Sequence, residues 1–239
     1  MRLLRVFSGK QVYQMTILTA HSGADGLPDN SLAFVRYALT TDADALEVDV
    51  RRAPSGELRL GHDEADSSLP TLKEVFDLLR KVPDRRINCD LKEQGLEETV
   101  CELARQAELE GRVILTGTVD AECYAASPAM RRTADLWINI EEVVPGIYRK
   151  TQELTAPCLL EAADQVLAVC RRLRLSVVNV HYLLAIPPFL ERFSREGVGL
   201  SVWTVNEEED IRRFLAEDVF ALTTRNLASA LRERKQIGS

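Results

Sequence analysis

Residues 44–50, Asp-Ala-Leu-Glu-Val-Asp-Val, decide the fold of this chain. The run is short and apolar apart from its carboxylates, with an amphipathic stretch before it near 30–40 and another after it near 71–81. A second short run, RRINCDL at 85–91, follows. Short run, long amphipathic stretch and short run again read as strand, helix and strand.

The same rhythm extends in both directions. Strands are expected at 16–20 (TILTA), 44–50, 85–91, 112–116 (RVILT), 135–140 (DLWINI), 175–180 (LSVVNV), 198–203 (VGLSVW) and 218–223 (DVFALT). Helices are expected near 30–40, 71–81, 96–110, 119–130, 160–173, 183–196, 207–216 and 226–235. Eight such α/β units close most naturally as a (β/α)8 TIM barrel, with an open doubly wound sheet as the runner-up. A length of 239 residues suits one barrel, so 16–239 reads as a single domain behind an N-terminal extension, 1–15. Two helix starts carry capping signals: Thr71 with Glu74, and Asn206 with Glu209. APSG at 53–56 turns the chain after the second strand, so that Leu58, Leu60 and His62 share one face and His62 returns to the carboxyl end of the barrel. A longer excursion from Glu141 to about Leu159, with Pro145, Gly146 and Pro157, reads as a rim loop or short helix.

A formal charge of -7, from 37 acidic and 30 basic side chains, disfavours nonspecific binding to nucleic acid or anionic membrane while allowing a local cationic pocket for phosphate. The five cysteines, at 89, 101, 123, 158 and 170, include no C-x-x-C pair and suit a reducing, cytoplasmic setting. The start MRLLRVFSGKQVYQM is broken by polar residues before a signal-peptide core can form, and no run approaches the roughly 18 apolar residues of a transmembrane segment. A small-molecule substrate is therefore the expected partner, with homo-oligomerisation left open.

Glu47 and Asp49 stand two apart in a strand and project to one face, where they can hold a hard divalent cation; two carboxylates at a solvated strand end are the plainer account. Asp90, at the matching end of the next strand, adds a third carboxylate whose repulsion a bound Mg²⁺ or Ca²⁺ would relieve. Asn88, Asp90 and Lys92 alternate onto one face, and Lys92 can neutralise a phosphate, fix a carboxylate or form a simple rim pair. Arg51 shares parity with Glu47 and Asp49 and can reach phosphate, or can face solvent beside Arg52. His21 leaves the first strand and His62 precedes Asp63; two imidazoles on opposite sides of a phosphodiester can act as general base and general acid. His181 is a third candidate with ordinary packing or capping roles beside it. Trp203 can wall a glycerol or alkyl group, Asn206 can bind substrate or cap its helix, and Thr116, Glu141 and Glu142 stand at other strand ends. No Walker loop, G-x-G-x-x-G, H-E-x-x-H or G-x-S-x-G is present.

The ordered segments His21-Ser22-Gly23, Pro28-Asp29-Asn30-Ser31, Glu47-Val48-Asp49, His62-Asp63, Asn88-Cys89-Asp90-Leu91-Lys92 and Trp203-Thr204-Val205-Asn206 resemble those of the glycerophosphodiester phosphodiesterase family, over roughly residues 16–232. The resemblance implies a phosphodiesterase barrel in which Glu47, Asp49 and Asp90 bind a divalent metal, His21 and His62 transfer protons, and Lys92 assists the phosphate. It also implies attack by a substrate hydroxyl to give a cyclic phosphate, which water then opens, releasing sn-glycerol 3-phosphate and an alcohol. Three departures stand out: Ser22 where the family has arginine, Asp90 where it has glutamate, and Thr223-Thr224 where a segment commonly ends in Thr-Asp. The short segment after His62 is similar to that of sphingomyelinase D-like barrels, so a lysophospholipase D-like enzyme is one alternative. An inactive phosphate or headgroup-binding barrel is the other.

Overall fold

In the computed structural model, which describes residues 15–150, 155–217 and 219–237, every expected strand forms. The chain runs β1 (Ile17–Ala20), α1 (Leu32–Thr40), β2 (Ala45–Arg52), β3 (Leu58–Leu60), α2 (Leu72–Leu79), β4 (Arg86–Leu91), α3 (Glu97–Gln106), β5 (Val113–Gly117), α4 (Ala121–Ala126), α5 (Pro128–Thr133), β6 (Ala134–Leu136) and β7 (Ile138–Asn139). It continues through α6 (Ile140–Val143), α7 (Ala156–Leu173), β8 (Val177–His181), α8 (Pro187–Arg195), β9 (Gly199–Trp203), α9 (Glu208–Ala216), β10 (Ala221–Thr224) and α10 (Leu227–Ile237). The proposed extension 1–15 lies outside the described residues except for Met15, which is exposed.

The strand order is β6-β5-β4-β2-β1-β10-β9-β8-β7, all parallel, with β3 off the path. β6 and β7 are two halves of one stave. Ala134 and Leu136 pair with β5, the Trp137 amide donates to the Leu115 carbonyl at 3.0 Å, and Ile138 and Asn139 then pair with β8. The nine parallel strands thus make eight staves, and the broken one completes the TIM barrel.

Parity along the staves separates two kinds of interior. Leu46, Val48 and Val50 of β2 face outward into a large core shared with the helices, in company with Phe34, Phe76, Val100 and Phe214. Inside the ring, Ile114, Trp137, Val177 and Ala221 pack with Ile17 and Phe220 into an apolar floor at the amino ends of the strands. Two residues further along their strands come Thr19, Glu47, Asn88, Thr116, Asn139, Asn179, Ser201 and Thr223, all buried and all polar. A floor that excludes water below and a cup of polar groups above put the chemistry at the carboxyl ends of the strands.

β2 overshoots the barrel and β3 folds back on it antiparallel, with Val50 opposite Leu60 and Arg52 opposite Leu58. The return ends where the Gly61 amide donates to the Asp49 carbonyl at 3.1 Å, which delivers His62 to the mouth as the 53–56 turn predicts. The Thr71–Glu74 capping box also forms. Three local expectations need correction. The helix expected over 119–130 is divided at Ser127, which is extended and caps a new helix whose first residue is Pro128; proline cannot accept an α-conformation before it or donate to the previous turn. The 141–159 excursion is shorter than expected because Pro157 sits in the first turn of α7, where its missing N–H is harmless. Asn206 does not cap α9: Glu207 occupies that position without a side-chain cap bond, and the Asn206 side chain instead accepts the Arg225 amide at 2.9 Å. There it ties the β9–α9 loop to the β10–α10 loop.

Candidate active site

Glu47, Asp49 and Asp90 rise from adjacent staves, paired in register as Glu47 with Asn88 and Asp49 with Asp90. One carboxylate oxygen from each lies within 4.8 Å of the others. Glu47 and Asp49 are about 95% buried, and burial pushes the Glu47 carboxyl above its ordinary range, with Asp49 and Asp90 adding repulsion and His21 opposing it. Burial likewise raises Asp90, against the pull of Lys92. Lys92 bridges the pair, Nζ lying 2.7 Å from Asp49 Oδ1 and 2.6 Å from Asp90 Oδ2. Its own burial opposes the charge, but the two aspartates overcome this and hold the ammonium above its usual value. Three desolvated oxygen donors around one small space fit a hard divalent cation.

The carboxylates are held from the loops around them. Glu47 Oε2 accepts the Ser22 amide at 2.9 Å, and Asn30 binds Asp49 through both its amide atoms. Thr116 donates to Asn88 at 2.9 Å, within the same cup. Gly117, with φ of 78°, ends β5 where a Cβ would come within 2.2 Å of Asp90 Oδ1 and 2.4 Å of the Leu91 carbonyl, so the Asp90 carboxylate stands where only glycine leaves room.

Both histidines commit Nδ1 to an acceptor. His21 Nδ1 lies 2.9 Å from the Ser22 carbonyl and 3.6 Å from Glu47 Oε2; His62 Nδ1 lies 2.7 Å from Asp63 Oδ1. Carbonyl and carboxylate oxygens only accept, so Nδ1 carries the proton in each ring and Nε2 is the nitrogen left for chemistry. His21 is mostly buried, whereas the His62 side chain is 67% exposed at the rim.

No family model matches the chain. It is 24% identical over 250 residues to the glycerophosphodiester phosphodiesterase of Caldanaerobacter subterraneus subsp. tengcongensis, an alignment covering 87% of this chain and 93% of that one. The glycerophosphodiester phosphodiesterase of Thermotoga maritima superposes with a TM-score of 0.70 at 18% identity, covering 92% of this chain and 99% of the other. A phosphodiesterase of Oleispira antarctica, solved with the product sn-glycerol-3-phosphate, superposes with a TM-score of 0.68 at 15% identity, covering 94% and 98%. Over nearly its whole length the chain is similar to glycerophosphodiester phosphodiesterases, and the solved structures share its TIM-barrel fold.

Both histidines, the three carboxylates and Lys92 gather at one end of the barrel. Ser22 is fully buried, with its hydroxyl between the Asn30 amide and the Asn30 side-chain oxygen, at 2.6 and 3.2 Å. Arg51, expected to reach phosphate or solvent, turns instead to the His62 carbonyl at 2.7 Å and to Glu93 at 3.5 Å, where it braces the His62 loop. Opposite the carboxylates, Trp203 and His181 meet edge to face at 5.3 Å with Tyr148 against both. His181 accepts the Leu183 amide through Nδ1, the capping role that its sequence context suggests. Burial pulls its imidazole below the ordinary value. Glu141 accepts from Asn139, which in turn accepts from Asn179 and the Gly117 amide. Asn30, Asn139 and Asn179 escaped the sequence reading as site residues; for the last two, a polar residue at inward parity in an apolar strand was the available signal.

Proposed function

We propose that this protein hydrolyses glycerophosphodiesters to sn-glycerol 3-phosphate and an alcohol, with His21 and His62 as the proton-transfer pair and Glu47, Asp49 and Asp90 as ligands of Mg²⁺ or Ca²⁺. The observation that carries this reading is the convergence of two buried carboxylates and the half-buried Asp90 with the Nδ1-anchored His21. The full-length relative from Caldanaerobacter, named for that activity, supports it.

The bound cation would withdraw charge from the nonbridging phosphate oxygens. The protein does the rest. Nε2 of one histidine takes the proton of the attacking substrate hydroxyl and Nε2 of the other gives its proton to the departing alcohol; water then opens the cyclic phosphate, losing a proton to the second histidine while the first protonates the released hydroxyl, with Nδ1 of each ring fixed by its acceptor. Lys92 balances Asp49 and Asp90 and supplies positive charge beside the phosphate. Trp203, whose Nε1 is buried without a hydrogen-bond partner among the described residues, offers a donor and an apolar wall to the glycerol, and Glu141 and Asn206 complete that side of the mouth. Arg51 serves the substrate through the loop that it braces. All five cysteines are free thiols, and no helix among the described residues is long and apolar enough to cross a membrane, both in keeping with the cytoplasm as the place of action.

Phosphorus NMR of products from a panel of glycerophosphodiesters and lysophospholipids, with Mg²⁺ or Ca²⁺ added and then chelated, tests the proposal. Release of glycerol phosphate that stops on chelation is the expected result. A cyclic lysophosphatidate product would move the assignment to the lysophospholipase D-like alternative, and binding without turnover to the inactive barrel.

A further inference from the structure

We infer that Arg225 is the guanidinium that meets the substrate phosphate, reaching the mouth from the last stave of the barrel; this rests on the phosphodiesterase reading and names a residue for it. β1 and β10 pair with Ala20 opposite Thr224, and the His21 amide donates to the Thr224 carbonyl at 2.9 Å, so His21 and Arg225 leave neighbouring staves at the same height. The Arg225 backbone is held on both sides: its amide by Asn206 Oδ1 at 2.9 Å, and its carbonyl by the Asp25 amide at 2.8 Å.

The side chain then crosses the turn that follows His21. Asp29 grips it with a two-pronged pair, Nη1 to Oδ1 at 2.7 Å and Nη2 to Oδ2 at 3.1 Å. Gly23, with φ of 77°, lies beneath both groups: a Cβ there would stand 1.8 Å from Asp29 Oδ1 and 2.9 Å from Arg225 Nη1. The guanidinium is thus packed over the backbone of the His21 turn. It also lies within the field of Glu47 and Asp49, and Asp29 within that of both His21 and His62.

A guanidinium has five N–H donors, and this carboxylate occupies one from each Nη. The remaining donors belong to a side chain that is 41% exposed, in a fork suited to two phosphate oxygens. The other cations described at this end are committed elsewhere, Lys92 between Asp49 and Asp90 and Arg51 to Glu93 and the His62 carbonyl. Position 22 contributes no donor to the mouth, since the Ser22 hydroxyl is buried against Asn30.

The test measures sn-glycerol 3-phosphate binding by calorimetry with Mg²⁺ present, beside KM and kcat for glycerophosphodiesters, in the full-length protein. Arg225→Ala is expected to weaken glycerol phosphate binding and raise KM by about tenfold or more, with Arg225→Lys recovering part of the loss. Asp29→Asn breaks the same ion pair but keeps the guanidinium, and is expected to retain most of the affinity. Equal losses in Asp29→Asn and Arg225→Ala would make Arg225 a strut and overturn the inference, as would unchanged binding in Arg225→Ala beside an active wild type. A wild type that neither binds glycerol phosphate nor cleaves any diester overturns the phosphodiesterase reading as well.

Discussion

The Asn30 carboxamide holds Asp49 at two points: Nδ2 donates to Asp49 Oδ2 at 2.7 Å, and Oδ1 accepts the Asp49 backbone amide at 3.0 Å. Asn30 adopts a left-handed conformation, φ 51°, one residue before Ser31 caps α1. A loop side chain therefore aims a strand carboxylate, which fixes the orientation that the proposed cation would need.

Replacing Asn30 with alanine should leave Asp49 buried and poorly oriented. Affinity for Mg²⁺ or Mn²⁺, read by calorimetry, is expected to fall by about 10- to 100-fold while the fold survives. Unchanged affinity would detach Asn30 from the metal site.

Lys92 is the only charge compensation described at hydrogen-bond distance from both Asp49 and Asp90. Lys92→Met should destabilise the cation-free protein by about 3 kcal/mol, because it leaves carboxylates buried and unpaired. Thermal denaturation should also show a larger gain in Tm on adding Mg²⁺ than the wild type shows. An equal gain in both proteins would argue against a cation among these carboxylates.

The raised Glu47 and Asp90 carboxyls set a pH dependence. Each holds its proton more tightly when folded than when unfolded, so the folded state binds more protons above the ordinary values of 4.5 and 3.8. Stability without cation is present below those values and declines as pH rises through the raised folded values. Added Mg²⁺ binds the ionised carboxylates, so its stabilising effect should grow over the same interval. Melting curves across pH, with and without Mg²⁺, check both signs; a cation effect independent of pH would contradict them.

Gly117→Ala should drive its methyl into Asp90 and the Leu91 carbonyl in a backbone conformation hostile to side chains. A loss of about 1–3 kcal/mol in chemical denaturation is expected, together with weaker metal binding. Wild-type stability and affinity in this variant would show that the β5 end can relax.

His62→Ala removes an exposed imidazole from the rim, so folding and cation binding should survive while turnover falls by about 10²- to 10⁴-fold. His21→Ala should lose activity on the same scale, with some effect on Glu47, its neighbour at 3.6 Å. Full activity in either variant would remove that histidine from the proton-transfer pair.

The eight staves, the Thr71 cap and the shared face of Glu47 and Asp49 were legible in the sequence because strand parity, helix period and capping are local. Asp90 and Lys92 were legible for the same reason, one strand later. Asn206 misled because a short polar residue before an acidic helix start fits a cap equally well whether or not a competing amide, here that of Arg225, stands nearby. Arg51 has the parity of the carboxylates, but the β3 return places the His62 carbonyl, and the loop after β4 places Glu93, within its reach first.

From sequence alone this chain determined its barrel and the inventory of its mouth: two histidines, three carboxylates and a lysine at the ends of known strands. The tertiary structure alone decided how they are held. Closing the ring sets β1 beside β10, and Asp29 grips Arg225 from 196 positions away. No local pattern encodes such a contact, since it depends on where the last stave meets the first.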